Sequence, residues 1–103
     1  MSTYTIRPSS RPMKKYQVTI KRPNNRTKTI YFGQAQASDF TKNNIVEMKK
    51  NYIKRHEKRE NWTISGVNTA GFWSRWVLWN LPTIKRSVKD IKNRFGINVK
   101  LIS

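Results

Sequence analysis

Ala70-Gly-Phe-Trp-Ser-Arg-Trp-Val-Leu-Trp-Asn80 is the most apolar stretch of the chain, and its reading settles where the core must lie. Asn68 or Thr69 can cap a helix here, in which Phe72, Trp76 and Trp79 stand at i, i+4 and i+7 with Trp73 and Val77 on the adjacent stripe. Arg75 is its only charge. A helix hydrophobic around nearly its whole circumference is either central to a core or covered by a partner. Because the chain has few leucines, Trp73, Trp76 and Trp79 read as core rather than as a stacking platform for unpaired bases. Arg75, and Trp62 in the loop before it, are the candidates for partner contact from this region.

Downstream, Pro82 suits the first turn of a third helix whose Ile84, Val88, Ile91 and Phe95 recur at i, i+4, i+7 and i+11, with Gly96 placed to stop it. Its outer face carries Lys85, Arg86, Lys89, Lys92 and Arg94 against Asp90. The tail from Ile97 to Ile102 alternates and can add a third strand to a sheet. Upstream, Ser38 or Thr41 can cap a helix running to about Glu60, with Ile45, Val46, Met48, Tyr52 and Ile53 as its apolar stripe. Lys42, Lys49, Lys50, Lys54, Arg55, Lys58 and Arg59 fall on the opposite face, where Glu47 and Glu57 can make ordinary helix-surface pairs. Asn61 to Gly66 reads as a loop.

Further upstream, Lys15 to Lys21 alternates, with Tyr16, Val18 and Ile20 on one face. Arg22-Pro-Asn-Asn-Arg26 is a break, and Thr27 to Gly33 is rich in β-formers, so the two runs predict a hairpin with a basic tip. Residues 1–14, with Pro8, Pro12, Arg7 and Arg11 and little periodicity, predict an extended basic arm ahead of a single domain over residues 15–103.

The 103 residues hold 22 Lys+Arg against 5 Asp+Glu, a formal charge of +17. One domain with a modest core is the limit at this length, and an aromatic content of 12% argues for a folded body rather than a disordered basic tail. The absence of cysteine excludes disulfides, iron–sulfur clusters and thiolate zinc sites. One histidine and scattered carboxylates leave little material for catalysis, so the expectation is a non-enzyme with no catalytic residues and no cofactor. No run of about 18 apolar residues occurs, and Met1 to Pro12 lacks the apolar centre of a signal peptide. A soluble or assembled protein is expected, with a membrane partner disfavoured.

Positive charge lies on three elements: the arm with the hairpin, the first helix and the third helix. A charge of +17 far exceeds the roughly 2–8 units that solubility asks of a small domain, so the surplus points to a polyanion rather than to a merely solvated face. The candidate contacts are Arg7, Arg11, Lys14, Lys15, Lys21, Arg22, Arg26, Lys50, Lys54, Arg55, Lys85, Arg86 and Lys89. Nucleic acid, acidic protein faces and anionic lipid obey the same Coulomb law. No zinc-finger, basic-zipper or RNA-recognition signature appears, so binding without sequence preference is expected. His56 with Glu57 and Glu60 lacks the converging ligands of a nuclease metal site, and no metal site is expected. Neither Ser65-Gly66 nor Thr69-Ala-Gly71 carries the Gly-Lys-Ser/Thr ending of a phosphate loop.

The run Tyr52-Ile-Lys-Arg-His56, Arg59-Glu-Asn-Trp62, Gly66 to Asn80 and Pro82-Thr83 resembles a family of small basic proteins encoded by large nucleocytoplasmic DNA viruses, across about residues 15–96 and most specifically over Thr69 to Asn80. The resemblance implies a virion component and transfers no catalytic residues. The expectation is therefore an α+β domain, a hairpin with a C-terminal strand packed on about three helices around the Trp-rich one. Its expected role is a virion-associated protein that contacts viral DNA or the inner face of the capsid. The alternative is a minor capsid or cement protein whose basic residues meet acidic faces of capsid subunits.

Overall fold

Alternation of apolar and polar residues in separate segments builds one sheet. The computed structural model describes residues 1–102, with strands β1 (Thr3–Pro8), β2 (Lys14–Lys21), β3 (Thr27–Gln34) and β4 (Asn98–Leu101) in the order β3-β2-β1-β4. β2 pairs antiparallel with both neighbours, and β4 runs parallel to β1. Tyr4 and Ile6, Val18 and Ile20, Ile30 and Phe32, and Val99 point to one face and are buried there, as the period of two demands. The helices α1 (Phe40–Asn43), α2 (Val46–His56), α3 (Ala70–Trp73) and α4 (Ile84–Phe95) make up the rest, with a 3₁₀ turn at Ile64–Gly66.

The α+β architecture and its Trp-rich centre are those the sequence implies. Four features differ. Residues 1–14 form no arm outside the domain: Thr3–Pro8 is an inner strand of the sheet, with Tyr4 and Ile6 buried against the core and a partner on each side, and a turn leads from it into β2 at Lys14. Consequently the C-terminal strand joins β1 and not the hairpin. The helix expected from Ser38 or Thr41 to Glu60 is two helices. Asp39 caps α1 by accepting from the Thr41 amide (2.9 Å), and Asn44, left-handed at φ 53°, ends it before α2 begins. Finally, Ile45, Val46 and Met48 are exposed; Tyr52 is the residue that α2 buries.

The Trp-rich segment starts as expected, with Thr69 accepting from the Phe72 amide (3.4 Å). It then widens into π-helical turns over Ser74–Leu78, closed by the Trp79 amide on the Ser74 carbonyl (3.2 Å). The i→i+5 bond changes which residues share a face. Phe72 and Val77, and Trp73 and Leu78, each five apart, are the fully buried ones, while Trp76 and Trp79 are half-buried and pack against the core from its rim. α4 is capped by Thr83, which accepts from the Arg86 amide (3.1 Å), so Pro82 precedes the cap instead of opening the helix. Gly96, at φ 65°, stops it.

Candidate nucleic-acid interface

α3, the π-helical turns and α4 pack against the buried face of the sheet, and the residues of the other face are half-buried or exposed. Strict alternation places Thr3, Thr5 and Arg7 of β1, Gln17, Thr19 and Lys21 of β2, Thr27, Thr29 and Tyr31 of β3, and Asn98 and Lys100 of β4 on it. Register aligns them in rows: Thr5, Thr19 and Thr29 lie side by side, as do Arg7, Gln17 and Tyr31. The Thr19 and Thr29 hydroxyls are 3.5 Å apart. Arg11, from the turn between β1 and β2, stacks its guanidinium 4.1 Å from the centre of the Tyr31 ring. The floor is thus hydroxyl and amide, the rim is cationic, and no carboxylate lies on the face, since Asp39 is the first acid in the chain.

The hairpin tip extends this surface. Asn25, at φ 65°, and bonds between the Arg22 amide and the Arg26 carbonyl (2.9 Å) and from the Asn25 amide to the Arg22 carbonyl (2.9 Å) fix it. Arg26 is exposed, whereas Arg22 donates to the Asn68 side chain (3.1 Å). Lys50, Lys54 and Arg55 project from α2, and Lys85, Arg86 and Lys89 from α4, all exposed. Of these, Lys85 and Lys89 line a groove with Lys100 of β4.

Three expected contacts are placed differently. Lys15 turns inward and pairs with Asp39, a residue only 2% exposed. Gly33 beside it, at φ 76°, has no room for a Cβ, which would come within 2.6 Å of the Leu78 side chain. Lys15 is therefore not free for a phosphate. Arg75 is half-buried beneath the aromatic cluster, donating to the Trp79 carbonyl (2.6 Å) and lying 4.3 Å from the Trp76 ring and 5.4 Å from the Trp62 ring. Burial, and then Arg94, work against its charge, and the Tyr52 and Asp90 side chains favour it. Trp62 accepts at its carbonyl from Trp76 Nε1 (2.9 Å) and stacks 6.3 Å from Tyr52. Both residues hold the helical layer together rather than standing out as handles.

The aromatic cluster continues through Tyr52, sandwiched between His56 (4.3 Å) and Trp79 (4.6 Å). Burial, reinforced by the Glu60 charge and opposed by Arg75 and Arg55, pushes the Tyr52 phenol well above its ordinary value. His56 faces Glu60 at 3.4 Å, and among the described residues no cluster of His, Asp and Glu could hold a metal ion. Lys49, expected on the exposed face of its helix, instead donates to the Asn80 carbonyl (2.6 Å) and lies 4.9 Å from the Phe40 ring. Burial and then Arg75 lower its pKa against the pull of Asp90.

Most carboxylates are consumed internally. Asp39 holds Lys15, Glu60 faces His56, and Asp90 accepts from Arg94 (3.1 Å) and Asn80 (2.8 Å). Among the described residues Glu47 and Glu57 make no ion pair, so the expected helix-surface pairs do not form. Sequence reasoning missed Tyr31, Lys100 and the threonines, whose shared face depends on β1 and β4 completing the sheet.

No curated protein sequence and no solved structure matches the chain. A family of unknown function, DUF5754, matches residues 4–56, the span from β1 through α2 that includes most of the uncovered face. The chain belongs to that family.

Proposed function

We propose that this protein binds nucleic acid without sequence preference, seating the phosphodiester backbone on the uncovered sheet face. The carrying observation is that face itself: hydroxyl and amide groups at its centre, Arg7, Arg11, Lys21 and Lys100 around it, and no carboxylate. Phosphate oxygens accept from threonine hydroxyls and from Gln17, and each cation set beside a phosphate releases condensed counterions. Tyr31, already backed by Arg11, offers a flat ring to an unpaired base, a contact worth about 1–3 kcal/mol. Nothing here reads base edges in a groove, which suits a packaging or scaffolding role more than regulation.

The resemblance of the Tyr52–Thr83 stretch to small basic proteins of large DNA viruses supplies the setting: viral DNA, or DNA lining the inner face of a capsid, within a virion. Membrane binding is the weaker reading, because Trp73 is fully buried and Trp76 and Trp79 are half-buried, leaving no aromatic set to insert. A second reading, a cement protein meeting acidic capsid faces, is favoured by the edge of β4 described below.

A salt titration tests the proposal. Binding of a 20-nucleotide DNA strand, measured from 50 to 200 mM NaCl, should weaken by about three hundredfold if roughly six phosphates are contacted. A flat dependence would remove counterion release and the proposal with it.

A further inference from the structure

The sheet has an outer edge that nothing described covers. β4 is its last strand, bonded to β1 on one side. Ile102 donates its amide to the Ile6 carbonyl (2.8 Å). Backbone groups two residues apart point the same way along a strand, so Lys100 also faces β1, and the N–H and C=O of Val99 and Leu101 face outward. A shallow groove of about 510 Å³ runs between this edge and α4, lined by residues from both faces of β4, so the edge stands open to solvent. Open edges are templates for another strand.

The groove has a definite chemistry. Lys85, Lys89 and Lys92, on one side of α4, and Lys100 of β4 line it, and among the described residues no carboxylate does. Its apolar surface comes from Val88, Leu101 and Ile102. From this we infer that the β4–α4 groove is a docking site for an extended acidic segment of a partner protein, which adds as a fifth strand. Alternate side chains of such a segment point to opposite faces, so carboxylates on the helix side meet Lys85, Lys89 and Lys92, and the apolar residues between them lie on the other side beside Ile102. The backbone supplies affinity and the lysines supply choice of partner. A second copy of this chain cannot be the occupant, because its carboxylates are scattered and form no acidic strand. Nucleic acid makes poor use of the site, since the outward carbonyls of Val99 and Leu101 would face phosphates with nothing to donate. Lys100 belongs to both surfaces, but the inference otherwise rests on the β4 edge and on the α4 lysines, which the sheet-face proposal does not use, and on a different ligand.

The test uses the full chain with a synthetic ten-residue peptide alternating Glu and Val. In a parallel arm, every amide of the peptide is N-methylated, which keeps its charge and removes its capacity to donate on either edge. Amide resonances of Val99 and Leu101 should shift and exchange more slowly with the first peptide, and the N-methylated peptide should bind at least tenfold more weakly. Lys89→Glu with Lys92→Glu, both exposed positions, should weaken the first peptide by tenfold or more with an unchanged circular dichroism spectrum. Equal binding of the two peptides, or shifts confined to Tyr31 and Arg7, would overturn the inference. So would a 20-nucleotide DNA strand displacing the peptide from Val99 and Leu101. None of these outcomes bears on the salt dependence of DNA binding, so the two proposals fail separately.

Discussion

The two sides of the sheet use positive charge in opposite ways. Under the helices, cations are structural: Lys15 on Asp39, Arg75 below Trp76, and Lys49 on the Asn80 carbonyl each have a partner and limited exposure. On the uncovered face, Arg7, Lys21 and Lys100 are exposed and among the described residues none makes an ion pair. A net charge therefore says little about where a ligand goes until the internally satisfied cations have been set aside. The buried side should respond to substitution through stability, and the uncovered side through binding alone.

The largest expected effects lie on the buried side. Trp73 is fully buried, tilted against Tyr4 (5.6 Å) and donating from Nε1 to the Val67 carbonyl (2.8 Å). Trp73→Ala should cost about 3–5 kcal/mol in chemical denaturation. Asp39→Ala should cost a similar amount, about 3–5 kcal/mol, because it strands the Lys15 ammonium in a dry site and uncaps α1. A loss below 1 kcal/mol would mean that this pair is solvated and the two sides are less different than described.

Effects on binding come next in size. Arg7→Ala and Lys21→Ala should each reduce the slope of log K against log salt by about one unit, with stability unchanged to within about 0.5 kcal/mol. Lys15→Met, at a position that sequence alone groups with them, should do the reverse: unchanged salt slope, reduced stability.

Titration sharpens the comparison further. The raised Tyr52 phenol means that the folded state holds this proton more tightly than the unfolded one. Its contribution is complete below the unfolded value of about 10 and is lost as pH rises above it. Stability measured from pH 9 to 11.5 should fall, and Tyr52→Phe should blunt that fall. Asp90 gives the smallest effect. Its desolvation alone would raise its pKa, but the hydrogen bonds from Asn80 and Arg94, with the charges of Arg94 and Arg75, hold it below the usual carboxylate range. That stability is present above about pH 4 and lost as the pH falls below it. Asp90→Asn should remove a few tenths of a kcal/mol of acid sensitivity, as for a pair screened by solvent.

What could be read from the sequence follows from interaction range. The hairpin and α4 obey their periods over seven or more residues and end at Asn25 and Gly96, where a left-handed φ is needed. β1 was hidden because its alternation, Thr3 to Ile6, is brief and set among prolines, serines and arginines that resemble a tail. The break at Asn44 had a signal in the Asn43-Asn44 pair, which an apolar stripe running through it outweighed. The π-helical turns and the Lys15–Asp39 pair had none. The first is set by how Val77 and Leu78 pack, and the second joins residues 24 positions apart. The uncovered face was legible only in part. Its cations are visible one by one, but their assembly with Tyr31 and the threonines depends on which strands become neighbours.

The most direct measurement compares two variants that each lose four cations and bind the same DNA strand. One replaces Arg7, Arg11, Lys21 and Arg26 with Gln, on and beside the sheet face; the other replaces Lys50, Lys54, Arg55 and Lys58 of α2 and the turn after it. The sheet-face variant should lose at least a hundredfold in affinity at 100 mM salt and nearly three units of salt slope, while the α2 variant loses less than tenfold. Equal losses in the two, or the greater loss in the α2 variant, would contradict the assignment of the uncovered face as the polyanion site.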